Sequence, residues 1–209
     1  MKRPVFIARQ SARPSGLLGR VIAGVMAHET LDLNVRAIRL LRLAPSDRVL
    51  EIGFGHGGTI ERLAEVANEG RVCGVDISES MLNMAIRRNR RAIAEGRVEL
   101  RHGDCASIPF DDASFDGALA VHALYFWSDP VACLRELRRV LKPSGRLVLG
   151  FLRGDSPQRN RFPNEVYTFY DERSVGAMLE ACDFGAIQFS RIGEASLVLA
   201  TATGALPGE

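Results

Sequence analysis

The sequence predicts an α/β fold of the doubly wound kind, a parallel sheet closed by an antiparallel hairpin. Three observations carry this. An apolar run at 49–52, broken only by Glu51, enters a loop with four glycines (Gly53, Gly55, Gly57, Gly58) and leaves it on a helical pattern that starts at Thr59. Four further short apolar runs follow, mostly separated by helical stretches, which is the spacing of parallel strands joined by crossovers. The chain then closes on a helix and two strands joined at Gly193-Glu194, a turn so short that it permits only antiparallel pairing.

The composition is that of an ordinary globular protein. With 209 residues, 46% apolar and 25% charged, one domain with a sizeable core is expected. A formal net charge of +2 is too balanced to argue by itself for a nucleic-acid partner. No apolar run is long enough to span a bilayer, and Arg9, Gln10 and Arg13 interrupt any secretory apolar segment, so a cytoplasmic location is expected. The four cysteines, Cys73, Cys105, Cys133 and Cys182, show no C-x-x-C spacing and are expected to be reduced thiols; no metal-ligand set is read from the sequence.

Taken in order, residues 1–15 carry Arg, Ser and Pro without a period and are expected to form a mobile arm. Residues 16–43 are helical in pattern, with one stripe of Leu17, Leu18, Val21, Ile22, Val25 and Met26. A second stripe comprises Leu33, Ala37, Ile38, Leu40 and Leu41, after a break near 29–32. The first of these helices precedes the first strand and is a candidate lid; a helix packed on the sheet fits equally well. The domain division is therefore an arm and helical lid over 1–45 and an α/β domain over 46–209. The crossover helix after the glycine loop ends near Gly70. Strand 71–75 runs to Asp76, Ser78 is an N-cap, and the next helix faces Leu82, Ala85, Ile86 and Ile93 inward and an arginine-rich side, Arg87 to Arg91, to solvent. Strand 98–102 ends at Gly103-Asp104 and strand 116–121 leads to His122. Asp129-Pro130 starts a helix by cap and first-turn proline, 142–145 is a turn, and 146–151 is the fifth strand. A polar connection at 152–170 holds Phe162, Tyr167, Phe169 and Tyr170; Asp171 caps the last helix, and strands near 186–192 and 196–203 follow.

The glycine loop is where ligand chemistry is expected. Its backbone turns sharply without Cβ interference, and the N–H groups of the following first helical turn favour an anionic group. Gly53-x-Gly55-x-x-Gly58 matches the dinucleotide fingerprint, while Glu51-x-Gly53-x-Gly55-x-Gly57 is an equally good match to a second pattern. Asp76, at the end of the second strand, suits the two hydroxyls of a ribose in either case.

The second pattern resembles motif I of the class I S-adenosylmethionine-dependent methyltransferases, and the likeness extends over roughly residues 46–203. Gly74-Val75-Asp76-Ile77-Ser78 resembles the acidic motif after strand 2, Gly103-Asp104 the adenine-side motif, and Phe115-Asp116 through Trp127 motif IV. The run from Leu134 to Gly145 is similar to the segment before strand 5 in the small-molecule branch that contains the ubiquinone/menaquinone-type enzymes, with Ser144 in place of a glycine. The Y-D-x-M-N signature of the quinone enzymes is missing near 25–35.

The resemblance implies a Rossmann-like, seven-stranded sheet of order 3-2-1-4-5-7-6 with strand 7 antiparallel, and N-terminal lid helices. It implies an enzyme that uses S-adenosyl-L-methionine, leaves S-adenosyl-L-homocysteine, and methylates a small, partly apolar molecule. On it, Gly53, Gly55 and Gly57 receive the cofactor's carboxylate, Glu51 and the backbone near Val121 its ammonium, and Asp76 its ribose. Ile77 and Met81 cover the adenine, whose edge meets Asp104 and the amide of Cys105. His122 and Tyr125 are the candidate catalytic residues, with Phe126 and Trp127 lining an acceptor pocket and His28, Tyr167 or Tyr170 closing it. Neither the N-P-P-Y tetrapeptide of nucleic-acid amino methylation nor a magnesium-binding carboxylate cluster follows strand 4. The rival readings are an NAD(P)-dependent oxidoreductase and a non-catalytic S-adenosylmethionine-binding protein.

Overall fold

The computed structural model describes residues 3–16 and 30–202; the stripe from Leu17 to Met26, His28 and the expected last strand residue Thr203 lie outside them. Seven strands form one sheet: β1 (Arg48–Ile52), β2 (Arg71–Asp76), β3 (Val98–His102), β4 (Phe115–Val121), β5 (Leu141–Leu152), β6 (Phe184–Ile192) and β7 (Ala195–Ala202). Their order is β3-β2-β1-β4-β5-β7-β6. β7 is antiparallel to both its neighbours and the remaining pairs are parallel. The sheet thus has the expected order, and its carboxyl edge collects Ile52, Asp76, His102 and Val121.

The α-helices among the described residues are α1 (Val5–Ala12), α2 (Leu31–Leu41), α3 (Gly58–Val66), α4 (Glu79–Arg88), α5 (Arg90–Ala94), α6 (Pro130–Val140) and α7 (Glu172–Glu180). Right-handed crossovers put α3 and α4 on one face, since the chain steps outward from β1, and α6 on the other, since β4 to β5 steps the opposite way. Each face has its own apolar cluster. Leu33, Ala37, Ile38 and Leu41 of α2 join Ile60, Leu63 and Ala85 on the first. Leu134, Leu137, Val175 and Leu179 of α6 and α7 lie on the second, with the aromatic side chains of the late connection. The helix starts read from sequence hold: Ser78 Oγ accepts from Met81 N, Asp129 from Ala132 N, and Asp171 from Ser174 N.

Five local expectations are corrected. Residues 3–15 are not a loose arm: α1 is built there, Ala8 is fully buried, Arg3 N donates to the Arg161 carbonyl at 2.7 Å and the Arg3 guanidinium lies over the Phe162 ring. The apolar side of α1 has no repeat longer than two turns, too short to read from pattern alone. Of the lid helices expected over 1–45, the second, α2, is packed on the sheet by its apolar side and only its first turn reaches the cavity, while the first, the candidate lid itself, lies outside the described residues. The single helix expected after β2 is broken at Asn89, whose side-chain amide donates to the carbonyls of Gly57 and Ala85. The expected turn at 142–145 is absorbed into β5 as an irregularity, with Ser144 in the left-handed region at φ 63°. Finally, Cys105 and Cys133 are not reduced thiols but a disulfide, joined across 28 residues because the loop after β3 packs on α6; Cys73 and Cys182 are free and buried.

Candidate functional site

A cavity of about 710 Å³ opens at the carboxyl edge of β1, β2 and β4, a volume suited to a small molecule. The glycine loop forms its floor. Gly53, Gly55 and Gly57 all have positive φ, and Gly57 shows why side chains are excluded. At φ 82° a Cβ there would lie 2.7 Å from both Ala85 Cβ and Asn89 Nδ2. Gly57 is thus the N-cap of α3, pressed against α4 and absent from the cavity wall, whereas Gly53 and Gly55 line it. The expectation that Gly57 meets a ligand is corrected on this geometry.

Two carboxylates face the same space. Asp76 is 7% exposed, and both its oxygens already accept backbone N–H groups, Oδ2 from Gly55 and Oδ1 from Ser78, each at 2.8 Å. The side chain therefore fixes the glycine loop to the end of β2 while each oxygen retains a second lone pair for a ligand. Burial raises its pKa against the pull of those two N–H groups. Glu51 is 4% exposed, its Oε2 is buried without a hydrogen-bond partner among the described residues, and Thr59 bonds its carboxyl group. Burial, and then the charge of Asp76, push its pKa to about 8. An unsatisfied buried carboxyl group aimed into a cavity is costly unless a cationic partner arrives.

The four residues expected to meet the adenine, Ile77, Met81, Asp104 and Cys105, all line the cavity. Ile77 is 41% exposed on the cavity wall, Met81 lies beneath it, and Asp104 and Cys105 form the edge, with Asp104 Oδ1 accepting from Ala106 N at 2.9 Å. Asp104, Cys105 and Cys133 come within 4.8 Å of one another, but both sulfur atoms are taken up in the disulfide. Val121 and His122 mark the other side, where β4 ends.

Beyond them the wall is built from segments with no regular period. Ser11, Ala12, Arg13 and Pro14 run across the opening, and the Pro14 carbonyl accepts from Ser78 Oγ at 2.6 Å. Thr30, Leu31 and Asn34 contribute the first turn of α2, and Phe126 and Trp127 line the cavity as expected. Tyr125 does not: it is 5% exposed, and its hydroxyl is engaged by His122 Nδ1 at 2.7 Å and Leu152 N at 2.6 Å. Tyr167 is likewise withdrawn into an aromatic cluster, stacked on Phe169, and Tyr170 is off the cavity. The expectations that Tyr125 touches a substrate and that Tyr167 or Tyr170 closes the site are corrected by this packing; His28 lies outside the described residues. His56 was not singled out from sequence. It sits at the mouth, where its Nδ1 accepts from Gly58 N at 3.0 Å, and burial and the nearby Arg88 lower its pKa.

The matches to known proteins agree with this geometry. Residues 50–149 match the family model described as a methyltransferase domain. The chain is 37% identical over 136 residues to the 27-O-demethylrifamycin SV methyltransferase of Amycolatopsis mediterranei, covering 65% of this chain and 50% of that protein. It is 30% identical over 130 residues to the uncharacterized methyltransferase YdaC of Bacillus subtilis, covering 62% of this chain and 70% of that one. The chain belongs to the class I S-adenosylmethionine-dependent methyltransferases. Its fold overlays that of such a methyltransferase from Aquifex aeolicus with a TM-score of 0.68 and 25% identity, over 81% of this chain and 89% of the other. The chain spans about half the length of the first curated relatives that it matches.

The donor set fits the family's cofactor. Its ammonium would answer the orphaned Glu51 oxygen, its ribose the spare lone pairs of Asp76, and its adenine the uncovered face of Ile77. No helix among the described residues is long and apolar enough to cross a membrane.

Proposed function

We propose that this methyltransferase binds S-adenosylmethionine across the ends of β1 to β3 and methylates a small, partly apolar molecule held between His122, Phe126, Trp127 and the segment 11–14. The observation that carries the reading is the partnerless Glu51 oxygen beside Asp76: a site for a diphosphate would place an anion there, whereas a site for an amino-acid tail places an ammonium.

S-adenosylmethionine supplies an already activated methyl group, so the chain's task is to bind, align and exclude water. Gly53 and Gly55 leave room for the tail, Glu51 neutralises its positive end, and Asp76 fixes the sugar. Ala123, Phe126 and Trp127 give the acceptor an apolar bed, and Pro14 with its neighbours screens that bed from solvent. His122, in the strained left-handed region at φ 57°, is held by its own N–H to the Gly150 carbonyl at 2.7 Å and is the polar group nearest the end of β4.

Calorimetric titration with S-adenosylhomocysteine, S-adenosylmethionine and NAD tests the cofactor assignment. Binding of the first two and not of NAD is expected; NAD binding alone would overturn it. A screen of phenolic, amine and thiol acceptors with labelled methyl donor separates an enzyme from a non-catalytic binding protein.

A further inference from the structure

The hydroxyl of Tyr125 occupies an unusual position in the sheet. β4 and β5 pair in parallel up to Val121 and Gly150, and His122 N continues the ladder by donating to the Gly150 carbonyl at 2.7 Å. In a regular parallel ladder the next bond would run from Leu152 N to the carbonyl of His122. His122 turns instead into the left-handed region. Leu152 N donates to Tyr125 Oη, at 2.6 Å, so a side-chain oxygen fills the place of a backbone carbonyl.

That substitution has a chemical consequence. A carbonyl has no proton, but a phenol has one, and once its oxygen accepts from Leu152 the proton needs an acceptor of its own. The Tyr125 ring is buried, edge-on to Phe126 at 5.7 Å and against Phe169 at 5.2 Å and Tyr167 at 5.8 Å, all of which are carbon faces. Among the described residues the hydroxyl's other polar neighbour is His122 Nδ1, at 2.7 Å. If Nδ1 also carried a proton, the hydroxyl would accept twice and its own proton would be buried unpaired.

We propose that Tyr125 is a positioning residue that fixes the tautomer of His122, with Nδ1 unprotonated and the imidazole proton on Nε2, whatever group meets Nε2. The inference rests on the acceptor-site reading given above and deepens it. Neutral His122 then meets its partner as a hydrogen-bond donor and does not take a proton from the acceptor. The acceptor class that suits such a group is one whose nucleophile reaches the site without a proton to lose, such as a phenolate or enolate oxygen. In that transfer the C–S bond breaks, a C–O bond forms on the oxygen's lone pair, and no proton moves.

The test is a long-range ¹H–¹⁵N correlation spectrum of the labelled full chain, with His122 assigned by its loss in His122→Asn. The wild type is expected to show Nδ1 at the unprotonated-nitrogen shift and Nε2 at the protonated one. Tyr125→Phe, which keeps the aromatic packing, is expected to lose that single-tautomer pattern. Nδ1 found protonated in the wild type, or a pattern unchanged in Tyr125→Phe, overturns the proposal. If Tyr125→Phe fails to fold, the wild-type spectrum alone decides. S-adenosylhomocysteine titration of the same wild-type sample reads the cofactor assignment separately, so the two can fail independently.

Discussion

The two ends of the cavity are built on different principles. At the cofactor end the acidic groups sit on, or within two residues of, a regular strand: Glu51 in β1, Asp76 at the end of β2, Asp104 just past β3. Their positions follow from strand register, which pairs Glu51 with Gly74 and Asp76 with His102. At the acceptor end the wall is a left-handed histidine, a short 3₁₀ turn at Leu124–Phe126, the C-terminal end of α1 and the first turn of α2. The first end is rigid because the sheet is; the second is assembled from tertiary contacts that can be lost one at a time. One cofactor serves the whole family while acceptors vary, so the variable chemistry falls on the separable parts.

The largest effect that this contrast predicts is at the turn between β1 and α3. Gly57→Ala forces a side chain into a left-handed residue and into contact with Ala85 and Asn89. Left-handed strain of about 1–2 kcal/mol and overpacking of about 1–3 kcal/mol together give a loss of roughly 2–5 kcal/mol, readable from urea unfolding. A loss below about 1 kcal/mol would mean that α3 can shift and that the cofactor end is less rigid than argued. Next is Asp76→Ala. It should weaken S-adenosylhomocysteine binding by roughly 1.5–3 kcal/mol, the cost of removing hydrogen bonds to a charged group. Part of that loss comes through Gly55, whose N–H is left unpaired. Unchanged affinity in a titration would show the ribose to be elsewhere.

The same contrast explains what could be read before any coordinates. The cofactor end was legible because each residue is tied to a local signal, an apolar run ended by a carboxylate or a glycine, and strand order then places them together. Gly57 was misassigned because a glycine required by packing and one required by a ligand look alike in sequence; only the nearness of Ala85 separates them. Tyr125 and Phe126 are adjacent in sequence and were both placed in the acceptor pocket, yet the 3₁₀ turn sends one into the aromatic cluster and the other to the cavity. The segment 11–14 was missed because its hold, the Ser78–Pro14 bond, spans 64 residues. The Cys105–Cys133 pairing was missed for the same reason.

Glu51 sharpens the comparison through pH. Its folded pKa is raised to about 8 from an ordinary value of 4.5. Below that ordinary value the carboxyl is protonated in both folded and unfolded chains. Between the two values the unfolded chain ionises and the folded one keeps its proton, so stability should fall as pH rises through this window, by up to about 1.4 kcal/mol per pH unit, and level off above it. Glu51→Gln should abolish that slope in thermal or urea titrations. Binding of an ammonium-bearing ligand near pH 7 should release a proton from the wild type, seen as buffer-dependent heat, and not from Glu51→Gln. Equal proton release from both proteins would remove Glu51 from the ammonium site.

The smallest predicted effect joins the two ends. Ser78 caps α4 at the cofactor end, accepting from Met81 N at 3.3 Å, and its hydroxyl donates to the Pro14 carbonyl, which is part of the acceptor end. Ser78→Ala removes both bonds, and a loss of about 1 kcal/mol in stability is expected from the cap alone. The tether makes a separate prediction. Backbone amides of 11–13 should exchange with deuterium faster in the variant, while those of β1 and β2 keep their protection, because the strap is held by few contacts and the strands by the whole sheet. Ser78→Thr should restore most of the protection, since it keeps the hydroxyl. If exchange at 11–13 is unchanged in Ser78→Ala, the strap is held by α1 and by the Arg3 contact with Phe162 that precedes it, and the variant to make next is Phe162→Ala.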